Sequence, residues 1–153
     1  MILLAALVIG IVSGLRAMTA PAAVSWAARL GWLPLQGTSL ALLGSTGVTL
    51  ALTVLALGEW VTDQLPSTPS RTVPIQFGAR LLTGGFSGAA IGLAHGSTVA
   101  GLIAGLVGAV IGTLGGRAAR GALASAFGSD RPAALIEDGV AVALALFAVR
   151  GLQ

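Results

Sequence analysis

Two acids, Glu59 and Asp63, lie four residues apart near the end of an apolar run, and two more, Glu137 and Asp138, are adjacent near the start of another. Residues four apart share one face of a helix. Like charges on one face repel unless a cation or a proton comes between them. A charge in an apolar medium is costly unless it is paired or wetted. The sequence therefore predicts Arg16, Arg71 or Arg80 against Glu59, Asp63, Glu137 or Asp138. Two chemistries fit such a group. In one, a polar cavity opens towards the cytoplasm and an acid in it takes up a proton or a cation. In the other, a network of ion pairs pins helix ends. Glu59 and Arg16, beside helix breaks, suit the first, whereas Asp63 and Asp138, nearer water, suit the second.

Pro69-Ser70-Arg71-Thr72 adds two hydroxyls and a guanidinium on a rigid turn, a set that suits a phosphate or a carboxylate. The alternative is a loop in which Arg71 pairs with Glu59 and the hydroxyls cap the next helix. Thr19, two residues before Pro21, reads as the cap of a helix with proline in its first turn. The residues expected along an ion or solute pathway are thus Arg16, Thr19, Glu59, Asp63, Ser70, Arg71, Thr72, Arg80, Glu137 and Asp138. No metal or other cofactor is implied. The chain has no cysteine, and its single histidine, His95, cannot build a metal site by itself and reads as a turn residue.

These polar groups are set in a chain of 153 residues that is 56% hydrophobic and 8% charged, with a mean hydropathy of +0.97. A soluble domain carries roughly a quarter charged residues, so the composition predicts one integral-membrane domain over residues 1–153. The net charge of +3 comes from arginines scattered between apolar runs. Electrostatic nucleic-acid binding needs a cluster, so nucleic acid is excluded as a partner. Arginine at membrane boundaries acts instead as a topology signal and a partner for lipid phosphate. Trp26, Trp32 and Trp60 read as interface anchors.

The elements that must position the charges are apolar helices, and the fold class expected is an all-α membrane bundle of five to six transmembrane segments. The Gly14 to Pro21 break divides residues 2 to 33 into a short or broken first hairpin, and the N-terminus reads as a retained segment rather than a signal peptide. Ser39 to Thr62 is the longest apolar run, and the prolines between Gln64 and Pro74 end it. Phe77 to Ala94 and Val99 to Gly116 form a central hairpin carrying glycines at four-residue spacing: Gly84, Gly88 and Gly92, Gly101 and Gly105, then Gly108, Gly112 and Gly116. A glycine face lets two backbones approach closely, which predicts a tightly packed hairpin. Arg117 to Arg131 reads as an interfacial stretch, with Ser129 or Asp130 capping a last span from Ala133 to Val149. Arg16, Arg71, Arg80, Arg117, Arg120 and Arg131 fall at one set of ends, and Arg29 and Arg150 at the other, which places the first set in the cytoplasm. Three segments followed by three of opposite orientation would form an inverted repeat, although no internal sequence match accompanies it.

Three stretches carry a resemblance: GLRAMTAPAAVSWAARLGW from Gly14 to Trp32, LGEWVTDQLPSTPSRT from Leu57 to Thr72, and ALIEDGVAV from Ala134 to Val142. They resemble a bacterial family of small multi-spanning membrane proteins of unknown function, marked by G-x-R-x-M-T-A-P and P-S-R-T motifs. The resemblance implies a membrane protein and supplies no activity. The expectation is a transporter or channel of the bacterial inner membrane for an ion or small polar solute, in contact with membrane lipid and assembled as a homo-oligomer. The rival is a non-transporting accessory protein whose charges are staples. An enzyme acting on lipid head groups ranks below both, because the chain lacks a metal-ligand set and a Ser-His-Asp arrangement.

Overall fold

The computed structural model describes residues 1–63 and 72–152. Among them are six α-helices and no strand: α1 (Ile2–Leu15), α2 (Thr19–Arg29), α3 (Thr46–Thr62), α4 (Pro74–Ala94), α5 (Thr98–Phe127) and α6 (Asp130–Arg150), with a 3-10 turn at Ala41–Gly44 before α3.

The core is built on backbone contact. Helix α5 lies between α1 and α4, and its glycines serve both, with Gly105 against Gly84 of α4 on one side and Gly10 of α1 on the other. Gly101 and Gly105 meet Gly84, Gly88 and Gly92 of α4, running antiparallel. Gly108 and Gly112 meet Leu7, Gly10, Ile11 and Gly14 of α1, running parallel. A methyl group at Gly88, Gly101, Gly105, Gly108 or Gly112 would overlap a backbone carbonyl of the opposing helix. Gly116 is buried on the same helix. The expected hairpin of α4 and α5 is therefore one half of a three-helix sandwich. The most extensive interface of the fold joins α1 to α5.

Several boundaries differ from the sequence expectation. Two helices, α5 and α6, are long and apolar enough to cross a membrane, whereas α1 and α3, with 14 and 17 residues, are shorter apolar helices. The run from Ser39 does not start as helix, because Gly44 closes the 3-10 turn and the Ser45 side chain accepts the Val48 N–H to cap α3 from Thr46. The stretch from Arg117 is helical as far as Gly128, as its sequence suggests, but it is not separate from the span before it. Helix α5 continues through it for 30 residues in all and stops at Gly128, whose φ of 65° is left-handed. Ser129 stands at the N-cap of α6, as one of the two expected residues, but its side chain makes no capping hydrogen bond.

The distribution of side chains is reversed relative to a water-soluble bundle. Leu50, Val54, Leu82, Ile103, Leu135 and Phe147 point outward, while Ser13, Thr113, Arg16 and Arg80 are buried. So many large apolar side chains on the outside of one chain suit a surface turned to membrane or to a partner.

Candidate functional site

One end of the bundle gathers all five acidic residues of the chain, Glu59, Asp63, Asp130, Glu137 and Asp138, around Arg16, Arg80 and Arg120. Chain reversal explains the convergence. The end of α1, the end of α3, the start of α4, the last turns of α5 and the start of α6 all lie there.

Arg16 is the centre. It follows the last turn of α1 in an extended conformation and is completely buried. Its Nη1 bonds to Asp63 Oδ2 at the end of α3, and its Nε lies 2.5 Å from Asp138 Oδ1 on α6. Among the described residues its Nη2 is buried without a hydrogen-bond acceptor. One guanidinium thus ties together three helices, two of which, α3 and α6, share almost no direct contact.

The break between α1 and α2 is held from both sides. The chain turns at Arg16 to Met18, leaving carbonyls at the end of α1 and N–H groups at the start of α2 without helical partners. The Arg80 Nη1 donates to the carbonyls of Gly14 and Leu15 at 2.9 and 2.7 Å. The Glu59 carboxylate accepts the N–H groups of Ala17 and Met18, both at 2.8 Å. Arg80 Nη2 also stands 3.9 Å from Glu59 and 3.8 Å from Asp63. Ser13 extends the arrangement through Thr83 and the Arg80 carbonyl.

Of the residues expected along a pathway, Arg16, Glu59, Asp63, Arg80 and Asp138 form this inner network. Glu137 joins it through Arg120, at 3.4 Å. The expected order of depth, with Glu59 and Arg16 deeper than Asp63 and Asp138, holds for Arg16 but not for Glu59: Asp138 is buried, whereas Glu59 and Asp63 are half-buried. Thr19 does not cap α2; its hydroxyl accepts the Trp60 Nε1–H at 3.1 Å, and Glu59 fills the capping role. The helix starts one residue earlier than expected, with Met18 at the N-cap and Thr19 as its first helical residue. The carboxylate of Glu59 answers the N–H groups just before it together with the helix dipole. Thr72 accepts from Arg117 at 3.2 Å. Ser70 and Arg71 lie outside the described residues. His95 places Nδ1 2.9 Å from the Ile91 carbonyl in the turn after α4.

Sequence reasoning missed Arg120, which grips Asp130 with two nitrogens at 2.9 and 2.6 Å and reaches the Asp63 carbonyl at 3.4 Å. The reversal at Gly128 was the available signal, since it returns the last turns of α5 past the first turn of α6. It also missed Gly10 and Gly14, which show the same four-residue spacing as the glycines of α4 and α5.

The fold and site define an all-helical protein with two helices able to cross a membrane and a buried cluster of ion pairs at one end. The chain belongs to a family described as a domain of unknown function (DUF4126), whose family model matches residues 3–150. No curated protein and no solved structure matches it.

Proposed function

We propose that the chain is a multi-pass protein of the bacterial inner membrane that moves an ion or small polar solute, as a transporter or channel. The charge cluster near the cytoplasmic face closes its pathway. The observation that carries this reading is Arg16, buried completely and shared by Asp63 and Asp138 on two helices that otherwise barely touch. Buried charges are retained at a cost, and inside a membrane they mark ion and proton routes. A pair that bridges separable helices is suited to break and re-form as they move. The helix break beside it resembles the discontinuous segments at which transporters bind their cargo. The glycine stripes are occupied within one chain, so association between copies would rest on the outward apolar faces.

A second reading is favoured by the capping of the break. Glu59 and Arg80 satisfy both of its ends, as expected of staples in a non-transporting accessory protein.

Flux separates the two. Liposomes holding the full chain and a pH-, potassium- or chloride-sensitive dye are challenged with each gradient in turn. Transport above protein-free vesicles that Glu59→Gln and Arg16→Lys abolish, with helicity retained, supports the first reading. No flux under any gradient, or equal flux in both variants, rejects it. Lowered melting temperatures with no flux in any form support the second.

A further inference from the structure

Helix α3 is seated differently from the other helices. Among the described residues its extensive contacts are with α2 and the 3-10 turn, and none is with α1, α4, α5 or α6. Two of its 17 residues, Thr49 and Ala56, are buried, so most of its length has no protein cover. An apolar groove of about 270 Å³, with Ala56 and Trp60 on one side and Val142 and Ala145 on the other, parts it from α6.

The two halves of α3 are fastened by different chemistry. The first half is joined to α2 through three threonine hydroxyls. Thr46 accepts from Arg29 at 2.6 Å, Thr49 meets Ser25 at 2.9 Å, and Thr53 accepts from Trp26 Nε1 at 3.0 Å. The second half has one neutral bond, from Trp60 Nε1 to the Thr19 hydroxyl at 3.1 Å, and is otherwise held through charge. Glu59 accepts the Ala17 and Met18 N–H groups, Asp63 pairs with Arg16, and Arg120 reaches the Asp63 carbonyl. A carboxylate exchanges its guanidinium for another cation that reaches it, whereas a neutral hydroxyl has no charge to exchange.

We propose that α3 is a hinged arm. The threonine bonds to α2 are its pivot, and Glu59 and Asp63 are a latch that closes its second half on Arg16 and the break between α1 and α2. When the latch exchanges partners, the charged end of α3 swings away from α6 and widens the groove, while the first half stays on α2. The arm moves against the sandwich of α1, α4 and α5, where backbones in contact leave no room to slide. In the transporter reading this motion opens the pathway, but the inference concerns the motion and stands without flux.

Spin-label distances in lipid nanodiscs test it, since the chain has no cysteine to remove. One pair, Val61→Cys with Val140→Cys, spans α3 and α6 near the charges, and a second, Leu50→Cys with Phe147→Cys, spans them at the far end. All four native side chains are exposed. Asp63→Asn should add to the first pair a population longer by about 5 Å, one helical turn, and leave the second pair unchanged. Circular dichroism checks helicity. Arg16→Lys, one ammonium for two carboxylates on different helices, replaces Asp63→Asn if that variant loses it. No change in either pair, or lengthening of both together, overturns the proposal. Flux is measured on the same variants: a swing without flux removes the transporter reading and leaves the hinge, whereas flux without a swing removes the hinge alone.

Discussion

Glu59 and Arg80 grip opposite ends of one helix break. The carboxylate holds the N–H groups that start α2, the guanidinium holds the carbonyls that end α1, and the two groups approach to 3.9 Å. Each charge faces the helix end of opposite polarity. The turn at Arg16 to Met18 is thus fixed by side chains from two other helices rather than by its own sequence.

Glu59→Gln tests that relation. The amide keeps the shape but has one oxygen for two N–H groups, and its own NH2 must face a donor. Leaving a buried donor unsatisfied costs about 1–3 kcal/mol. The melting temperature in detergent should fall, and hydrogen exchange at Ala17 and Met18 should rise before exchange elsewhere.

Arg16→Ala should be more damaging than the neutral triple variant Arg16→Met, Asp63→Asn, Asp138→Asn. Removing one partner from a buried ion group leaves the others uncompensated, typically at about 3–5 kcal/mol. Removing all three charges relieves that penalty. Unfolding by denaturant in mixed micelles should show the triple variant closer to wild type. A triple variant less stable than Arg16→Ala would contradict the account.

Coupling energies should differ between the two ends of the network. Arg120 and Asp130 meet where Asp130 is 62% exposed, so a double-mutant cycle should return less than about 1 kcal/mol. The cycle for Arg16 and Asp138 should exceed it, because both groups are largely buried. Raising the salt concentration should weaken the first and barely change the second.

Gly105→Ala should separate α5 from α4, since the added methyl would overlap the Gly84 carbonyl. Gly115→Ala and Gly121→Ala meet nothing within 4 Å and should stabilise α5 by up to about 1 kcal/mol through helix propensity. Thermal unfolding of the three variants gives the comparison. A neutral Gly105→Ala would mean the helices are not in backbone contact.

Much of this site was legible because charges are so few. With only five acids in the chain, the pairing of Arg16 and Arg80 with Glu59, Asp63 and Asp138 followed from the cost of isolation. The break at Gly14 to Pro21 was legible from its glycine and proline. What held it was not, because caps supplied from other helices leave no local signature, and so Thr19 drew the role that Glu59 fills. The length of α5 was hidden for a related reason. Arg117 and Arg120 read as the end of an apolar segment, yet a helix continues through arginine and alanine without penalty. The glycine spacing announced close packing but not the partner. Gly108 and Gly112 seemed to belong with α4, and their distance in sequence from Gly10 and Gly14 concealed the true neighbour.

The parallel seat of α1 on α5 also bears on how the protein is made. Helix α1 leaves the ribosome before α3, α5 and α6, and its glycine stripe and the arginine that follows it do not meet their counterparts until those helices have emerged. Gly10 must wait for Gly105, and Arg16 for Asp138. Until then the growing chain needs shelter for the glycine face of α1 and for Arg16. Truncation after α4 should therefore leave α1 without the α5 glycines that seat it.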